Sequence, residues 1–338
     1  MTKKAFGVLP SGEQAYLYTI RCGQMEAAIT DFGATLVSLI VPDKAGNLAD
    51  VVLGFDDVTA YAASTAFFGA TVGRNANRIA GAAFSLGEST YTLEANNNGN
   101  NLHSGSDSYA FRIWNVMEHT ESSLSLTLES PNGDQGFPGN AKIRVTYTLA
   151  HPGTLSITYD AVCDEDTVFN MTNHSYFNLA GHEHGAKAME QILSMSARVF
   201  AEADCNCLPT GKLCSVEGTP MDFRVPKPLG RDIDADYETL KLQGGYDHNY
   251  EVFCNPCAIL SDPQSGRTMS VVTDCPGIQL YTANELGVNG KGGVFYADRS
   301  GVCLETQYYP DAIHHSQWKQ PVVKAGEQYH SETKYIFS

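Results

Sequence analysis

Apolar and polar side chains alternate one by one along several stretches of the chain. Leu124, Leu126 and Leu128 are separated by serine and threonine, and a similar alternation runs through residues 142–149. It resumes at residues 155–161, directly after the sequence His-Pro-Gly. Because successive side chains of a β-strand point to opposite faces, this pattern predicts strands with one buried face. The two stretches that flank His-Pro-Gly are predicted to form an antiparallel hairpin.

Helical periodicity is scarce by comparison. The stretch from Asp232 to Leu242 predicts one or two helical turns, and no longer amphipathic run with clear caps occurs. Turn-forming residues are frequent instead, as in Asn-Asn-Gly-Asn at 97–100 and Pro-Asn-Gly-Asp at 131–134. Many short strands joined by such turns are typical of an antiparallel β-sandwich. We therefore predict an all-β fold in which residues 1–338 form a single large domain.

The composition fits a protein that folds around a large core and binds a neutral or cationic ligand. Of the 338 residues, 43% are hydrophobic and 18% are charged, which argues against an extensively disordered chain. The 22 basic and 38 acidic residues give a formal net charge of −16. Such a charge disfavours nucleic acids and anionic membranes, since both are bound through Lys and Arg. We expect neither as a partner.

The sequence predicts neither secretion nor membrane insertion. Its most apolar early stretch, Ala34–Pro42, is far shorter than the roughly 20 residues that span a bilayer. The nine cysteines are an odd number in a long chain, which favours free thiols in the cytoplasm. A structural zinc site usually needs two C-x2-C pairs, and this sequence has one. We therefore expect that no metal is bound and that both cysteine clusters are structural. These clusters are Cys205, Cys207 and Cys214, and Cys254 and Cys257.

Polar residues are concentrated in a few segments that interrupt the strand pattern. The first, Gly-Arg-Asn-Ala-Asn-Arg-Ile at 73–79, carries two arginines and two asparagines that suit the recognition of hydroxyl groups. A buried arginine–carboxylate network that ties strands together is the alternative. The second is an asparagine-rich loop at 96–105. It contains His103, which either donates to a ligand or has a structural role.

A third segment, Thr-Asn-His-Ser-Tyr-Phe-Asn at 172–178, has an unusual polar face. If it is extended, Thr172, His174, Tyr176 and Asn178 point to the same side. Burying these groups unpaired would cost roughly 1–3 kcal/mol each. The face is therefore either satisfied internally or turned towards a wet cleft, and we favour the cleft.

A fourth segment places a carboxylate within an otherwise apolar strand. Alternation directs Val302 and Leu304 to the core and puts Glu305 with Gln307 on the other face. A carboxylate within an apolar strand is costly unless it is paired or functional, so we expect Glu305 to be one or the other.

Together these segments supply the groups that bind a polyhydroxylated molecule. A further one, Gly-Gly-Tyr-Asp-His-Asn-Tyr at 244–250, places an aromatic residue among Asp247, a histidine and an asparagine. Carboxylates, amides and arginines bind hydroxyl groups, while aromatic rings cover the C–H faces of a sugar. The motifs of α/β-hydrolases, P-loop proteins and zinc peptidases do not occur in the sequence. A small neutral sugar is the expected ligand.

Seven motifs follow one another along the chain: GRNANRI, NNLHSG, PNGDQGFPGN, TNHSYFNLAG, GYDHNY, PGIQLYTAN and ETQYYPDAIH. Their order resembles that of the aldose 1-epimerases, the galactose mutarotase family, and the resemblance covers nearly the whole chain. It implies a single large, mostly antiparallel β-sandwich of the galactose mutarotase type. It also implies that the protein interconverts the α and β anomers of free aldohexoses, such as galactose and glucose, without a metal or organic cofactor.

The same resemblance implies roles for individual residues. Glu305 matches the general base that takes the proton of the C1 hydroxyl, and His174 matches the general acid that protonates the ring oxygen. His103 matches a second catalytic histidine, which forms a hydrogen bond near the ring oxygen. The expected substrate-binding residues are Asn77, Arg78, Asp247 and Gln279, to which we add Tyr176 from the polar face.

Ordinary pKa values suit this division of roles. A glutamate with a pKa near ~4.3 is ionised at neutral pH, and a histidine near ~6.5 can donate after a small upward shift. We therefore expect a raised pKa for His174.

Two positions depart from the family pattern. Ser104 stands where the family commonly has glycine, and residues 313–318 differ from the usual sequence after YYPDA. We expect the first to alter the loop beside His103 and the second to affect substrate access.

The sequence leaves two alternative functions open. A relative that acts on hexose 6-phosphates needs basic residues at the far end of the sugar, for which Arg74, Arg78 and Arg112 are candidates. A non-catalytic sugar-binding protein would need neither Glu305 nor His174. The sequence decides neither between galactose and glucose nor between a monomer and a homodimer.

Overall fold

The computed structural model describes residues 2–338, and the strands in this range are numbered here in chain order. The first ten are β1 (Thr2–Val8), β2 (Gln14–Cys22), β3 (Met25–Thr30), β4 (Thr35–Pro42), β5 (Leu48–Asp50), β6 (Thr71–Val72), β7 (Arg78–Ile79), β8 (Ala83–Leu86), β9 (Ser89–Thr92) and β10 (Asn101–Leu102). The next ten are β11 (Asn115–His119), β12 (Ser123–Ser130), β13 (Ala141–Ala150), β14 (Thr154–Cys163), β15 (Thr167–Val168), β16 (Thr172–Asn173), β17 (Tyr176–Phe177), β18 (Ile192–Met195), β19 (Val199–Ala203) and β20 (Pro209–Ser215). The last ten are β21 (Lys227–Pro228), β22 (Asp247–Glu251), β23 (Ala258–Ser261), β24 (Thr268–Thr273), β25 (Gly277–Tyr281), β26 (Val288–Asn289), β27 (Phe295–Tyr296), β28 (Val302–Gln307), β29 (Val322–Val323) and β30 (Gln328–Phe337).

Helices are short, as the scarcity of helical periodicity predicts. α1 (Val58–Ala63) begins where Asp57 accepts hydrogen bonds from the backbone N–H groups of Thr59 and Ala60, an N-cap that sequence reasoning did not identify. α2 (Glu238–Gln243) confirms the predicted turns between 232 and 242 and ends at Gly244, which has a left-handed φ of 67°. No helix in residues 2–338 is long and apolar enough to cross a membrane.

The largest sheet has nine strands in the order β11-β12-β13-β14-β30-β24-β23-β18-β21. The predicted hairpin is confirmed: β13 and β14 pair antiparallel, from Ala141 opposite Cys163 to Ala150 opposite Thr154. Leu124, Leu126 and the other apolar members of the alternating stretches are buried on one face of this sheet. The alternation in the sequence thus marks the inner face of the nine-stranded sheet.

Two further sheets complete the sandwich. One has five strands, β1 to β5 in sequence order, and the other has six in the order β17-β28-β25-β22-β19-β20. A continuous core joins all three sheets, with Ile20 from the five-stranded sheet, Leu126 from the nine-stranded sheet and Leu280 from the six-stranded sheet. The all-β sandwich is therefore confirmed.

The six-stranded sheet brings the predicted polar residues together on one face. Its strands β22, β25 and β28 are neighbours, and Gln279 lies directly opposite Glu305 in the β25–β28 register. Val302 and Leu304 belong to the main core, as the alternation predicts, so Glu305 emerges on the opposite face. Asp247, on β22, pairs with Tyr281 of the same β25 strand. Residues from distant parts of the chain thus converge on one surface.

A buried histidine on β22 makes the stability of the fold sensitive to acid. His248 is 1% exposed, its Nε2 contacts the Thr239 hydroxyl at 2.7 Å, and burial lowers its pKa from 6.5 to about 4. Between these two pH values the unfolded chain binds a proton that the folded protein does not. The contribution of neutral His248 to the free energy of unfolding is therefore complete above pH 6.5 and is lost as the pH falls towards 4.

We expect His248→Gln to reduce the loss of stability between pH 7 and pH 5 by about 2 kcal/mol, since glutamine cannot titrate. Urea unfolding of both proteins at the two pH values measures the difference. An equal loss in the two proteins would contradict a neutral, buried His248.

Candidate active site

A cavity of about 550 Å³ opens above the polar face of the six-stranded sheet. Its lining includes six of the eight residues that the sequence singles out, namely Asn77, Arg78, His103, His174, Tyr176 and Asp247. The other two, Glu305 and Gln279, are buried, with exposures of 2% and 3%. They lie one layer deeper, where Glu305 touches His174 and Gln279 touches Asp247.

Glu305 and His174 face each other at the bottom of this site. Oε2 of Glu305 lies 3.7 Å from Nε2 of His174. The backbone of His174 is fixed on both sides, because its N–H donates to the Ala70 carbonyl at 3.0 Å and its carbonyl accepts from the Gly69 N–H at 2.9 Å. The distance is longer than a hydrogen bond, and Glu305 Oε2 has no hydrogen-bond partner within residues 2–338, so both groups are available to a ligand as proton donor and acceptor.

The prediction that residues 172–178 form one extended polar face is wrong in part. Pairing is interrupted between β16 and β17, which bind different neighbouring strands, β6 and β28. Thr172 donates to the Thr306 carbonyl at 2.9 Å, and Asn178 donates to the His184 carbonyl at 3.0 Å. Only the middle of the segment, His174 and Tyr176, lines the cavity, and the two rings stack with centroids 5.1 Å apart.

Burial moves the pKa values of both members of the central pair away from those that the sequence suggests. It lowers the pKa of His174 from 6.5 to about 4, so the predicted upward shift is wrong. It raises the pKa of Glu305 well above its ordinary value, and Asp247 acts in the same direction while Arg78 opposes it. Removing a group from water disfavours its charged form, whichever sign that charge has. Burial thus shifts the titration of each group towards its neutral form.

His103 lies against the same cavity, and its hydrogen bonds fix its tautomer. Its Nδ1 accepts from the backbone N–H of Asn77 at 3.2 Å, and its own backbone N–H donates to the Asn77 carbonyl at 2.9 Å. Burial lowers the pKa of His103 well below 6.5, so the ring is neutral and carries one proton. With Nδ1 occupied as an acceptor, that proton is on Nε2. His103 is thus a donor, which agrees with the role that the sequence suggests.

Asp247 is held in the cavity wall by Gln279. The Gln279 amide donates to Asp247 Oδ1 at 2.7 Å, and this contact leaves the other carboxylate oxygen free to accept from a ligand. Cys205 and Cys207 lie in the same wall, and the Cys207 thiol donates to the Gln243 side chain at 2.6 Å. We expected only a structural role for Cys205 and Cys207. The structure also places both of them in the lining of the cavity.

The two arginines of residues 73–79 have different roles. Arg74 is fully buried and donates to the Ser130 hydroxyl at 2.6 Å and to the Pro138 carbonyl at 2.6 Å. Arg78 lines the cavity, and Asn97 holds its guanidinium through an Nε contact of 3.1 Å. One arginine thus ties the loops together, and the other is available to a ligand.

The two departures from the family pattern have structural explanations. Ser104 adopts a left-handed φ of 69°, which favours glycine, but its hydroxyl accepts from the Asn75 N–H at 2.8 Å. In the loop after Ala312, the ring of His314 contacts Asp311 Oδ1 at 2.6 Å, and Asp311 donates its N–H to the Arg78 carbonyl at 2.8 Å. Both departures support segments next to the cavity.

Phe67 is a cavity residue that sequence reasoning missed. Its φ is +55°, a strained value for a bulky side chain, and its ring lies 4.9 Å from the His103 ring and 6.0 Å from the His174 ring. Nothing in its local sequence marks a left-handed aromatic residue. Strain at such a position is typical of functional sites, and Phe67 supplies an aromatic surface beside both histidines.

Cys303 is a second missed residue, although its position two residues before Glu305 is a usable signal. Ligand atoms of His174, Cys303 and Glu305 lie within 4.8 Å of one another, the spacing of a metal-binding group. The thiol faces Nδ1 of the ring at 3.6 Å, whereas the carboxyl faces Nε2. Because the two partners approach different nitrogens, we interpret the cluster as an acid–base group.

Comparison with known proteins identifies the family. The sequence model described as aldose 1-epimerase matches residues 16–336. The chain belongs to the aldose 1-epimerase family. Galactose mutarotase of Mus musculus is 37% identical over 100% of this chain and 98% of its own length. Aldose 1-epimerase of Haemophilus influenzae is 37% identical over 97% of each chain.

Solved structures agree with this family and fold. The aldose epimerase homologue from C. elegans has a TM-score of 0.89 and 33% identity, covering 96% of this chain and 99% of its own. Galactose 1-epimerase from Lactobacillus acidophilus has a TM-score of 0.87 and 26% identity, covering 100% of this chain and 98% of its own. The galactose mutarotase-like sandwich predicted from the sequence is confirmed.

Proposed function

We propose that this member of the aldose 1-epimerase family interconverts the α and β anomers of free aldohexoses such as galactose and glucose. The observation that carries the proposal is the contact of 3.7 Å between Glu305 Oε2 and His174 Nε2 beside a cavity of sugar-binding groups. A carboxyl and an imidazole at this distance form the acid–base pair that ring opening requires. The names of the relatives support the same reaction.

Ring opening transfers two protons. The carboxylate of Glu305 takes the proton of the C1 hydroxyl, the bond between C1 and the ring oxygen breaks, and C1 becomes a carbonyl. The ring oxygen takes a proton from Nε2 of protonated His174. Rotation about the C1–C2 bond turns the other face of the carbonyl to the oxygen, and closure by the reverse transfers gives the other anomer.

This cycle needs no proton from the solvent. A carboxylate with an imidazolium carries the same number of protons as a carboxylic acid with a neutral imidazole. Burial of Glu305 and His174 favours the neutral arrangement, which is the one present while the sugar is open. The charged arrangement that begins the reaction forms when Glu305 Oε2 and His174 Nε2, 3.7 Å apart in the sugar-free protein, come within hydrogen-bond distance and the Glu305 proton moves to Nε2.

The surrounding groups position the sugar. Asp247 accepts from hydroxyls, while Arg78, Asn77 and the Nε2–H of His103 donate to sugar oxygens. Fixing the ring oxygen next to Nε2 of His174 turns proton transfer into a step within one complex.

The position of the arginines disfavours a hexose 6-phosphate. Of the three candidates for phosphate binding, Arg74 is buried outside the cavity, and Arg112 is paired with Asp107 at 2.9 Å and Asp134 at 2.8 Å. Arg78 alone lines the cavity. One arginine is a poor match for a dianionic group in a chain of net charge −16.

Polarimetry tests the function directly. We expect the protein to accelerate the change in optical rotation of freshly dissolved α-galactose and α-glucose above the spontaneous rate, while the heat-denatured protein does not. The rate with glucose 6-phosphate should stay near the spontaneous one. Binding of free sugar without acceleration would overturn the enzyme and favour a sugar-binding protein.

We infer a reducing compartment, the cytoplasm, as the place of action. All nine cysteines are free thiols, including the exposed Cys205 and Cys254. Unpaired thiols at the surface are typical of proteins kept in reducing conditions.

A further inference from the structure

A buried cysteine contacts the side of His174 that faces away from the carboxyl group. Sγ of Cys303 lies 3.6 Å from Nδ1 of His174, while Nε2 of the same ring faces Glu305 at 3.7 Å. Cys303 and Glu305 are two residues apart on β28, so both side chains emerge on the same face. The imidazole therefore lies between a thiol and a carboxyl group.

The carboxyl of Glu305 and the thiol of Cys303 differ in their strength as hydrogen-bond donors to the ring of His174. In a neutral imidazole one nitrogen carries the proton and the other accepts. A carboxylic acid, with a usual pKa of ~4.3, is a much stronger donor than a thiol, with a usual pKa of ~8.5. At 3.7 Å, Oε2 of Glu305 is beyond hydrogen-bond distance of Nε2 and has no other partner within residues 2–338. Once this contact shortens and the carboxyl donates to Nε2, the ring proton lies on Nδ1. The sulfur of Cys303 then has to accept it.

One other acceptor lies beside the ring. The backbone of His174 itself forms a hydrogen bond with the imidazole, but its carbonyl is shared with the Gly69 N–H at 2.9 Å, whereas the Cys303 sulfur has no second partner within residues 2–338. Phe67, Tyr176 and Tyr281 meet the imidazole through their aromatic rings, and the His103 ring meets it edge-on.

We propose that Cys303 is a positioning residue whose sulfur accepts the Nδ1–H of His174 and leaves Nε2 free to exchange the catalytic proton. This inference rests on the proposed role of His174 as the proton donor to the ring oxygen. His103 has the opposite arrangement, because a backbone N–H donates to its Nδ1 at 3.2 Å and so places its proton on Nε2. Different partners at Nδ1 thus assign one histidine to exchange a proton and the other to donate a hydrogen bond.

A weak acceptor suits this position. Cys303 is fully buried, and burial raises the pKa of its thiol well above 9.0, with Glu305 and Asp247 acting in the same direction. A neutral sulfur orients the ring without the strong stabilisation of the imidazolium that a carboxylate would give. Nε2 of the protonated ring is therefore a stronger acid towards the ring oxygen of the sugar.

The tautomer of His174 tests the inference without relying on activity. We expect nitrogen-15 NMR of the sugar-free protein, with the His174 signals assigned by their absence in His174→Gln, to show a proton on Nδ1. Cys303→Ala should shift the proton towards Nε2, and Cys303→Ser, which keeps an acceptor, should retain the original tautomer. A wild-type protein with the proton on Nε2, or the same tautomer in all three proteins, would overturn the inference.

Kinetics provide the second measurement. Cys303→Ala should lower kcat about tenfold with little change in KM, and Cys303→Ser should restore most of the loss. Cys257→Ala removes an equally buried thiol outside the cavity and should leave both the tautomer and kcat unchanged. A Cys303→Ala enzyme with normal kcat would contradict the positioning role. Failure of the proposed function would show differently, because the wild-type protein itself would then not accelerate mutarotation. Normal turnover in variants of Glu305 or His174 would instead refute the acid–base roles of these two residues.

Discussion

Glu305→Gln is expected to lower kcat about a thousandfold while sugar binding persists, since a general base contributes roughly 10²–10⁴-fold. Glutamine has nearly the same shape as glutamate but cannot take the proton of the C1 hydroxyl. Exchange NMR of equilibrated galactose measures interconversion of the anomers, and saturation-transfer NMR measures binding. Near-normal exchange would refute Glu305 as the base.

Stability separates a catalytic effect from a folding defect in this variant. Burial disfavours the charged form of Glu305, so replacing it with a neutral amide should not lower the midpoint of urea unfolding. Glu129→Gln, on the exposed side of β12, is the control and should retain full activity. A marked loss of stability in Glu305→Gln would assign the lost activity to the fold.

His174→Gln is expected to lower kcat at least about a hundredfold with a small change in KM, because an amide can donate a hydrogen bond but cannot release its proton. His119→Gln is the control, since Nε2 of this histidine contacts the Thr19 carbonyl at 3.0 Å, outside the cavity. Polarimetry with freshly dissolved α-galactose gives both constants. A raised KM with unchanged kcat would place His174 in binding alone.

The double variant tests whether the two residues act as a unit. If Glu305 and His174 exchange protons in one step, removing both should cost little more than removing either one. Independent contributions would multiply instead. A loss of kcat in the double variant equal to the product of the two single losses would contradict the paired mechanism, even if both single variants were slow.

Much of the fold follows from the local pattern of the sequence. The alternation in β12, β13 and β14 predicts their inner faces, and the His-Pro-Gly turn predicts the β13–β14 hairpin. In β28 the same alternation places Glu305 away from the core. Side-chain direction in a strand depends on the position of each residue relative to its neighbours, so it can be read without knowing the partner strands.

Other features depend on contacts that the sequence does not display. The break in pairing between β16 and β17 reflects their different partners, since β16 pairs with β6 and β17 pairs with β28. The left-handed backbone of Phe67 and the burial of Arg74 likewise depend on surrounding loops. Motif spacing cannot show that Arg78 enters the cavity while Arg74 does not.

The sequence by itself determined the strand pattern, the polar groups and the chemical class of the ligand, because these follow from residue types and their local order. Only the tertiary structure decided the direction of the pKa shifts of Glu305 and His174 and the group that faces each ring nitrogen. Burial sets the cost of a charge, and burial is created by residues far apart in the chain. Ordinary pKa values therefore predicted a raised pKa for His174, whereas its enclosed position lowers that pKa to about 4.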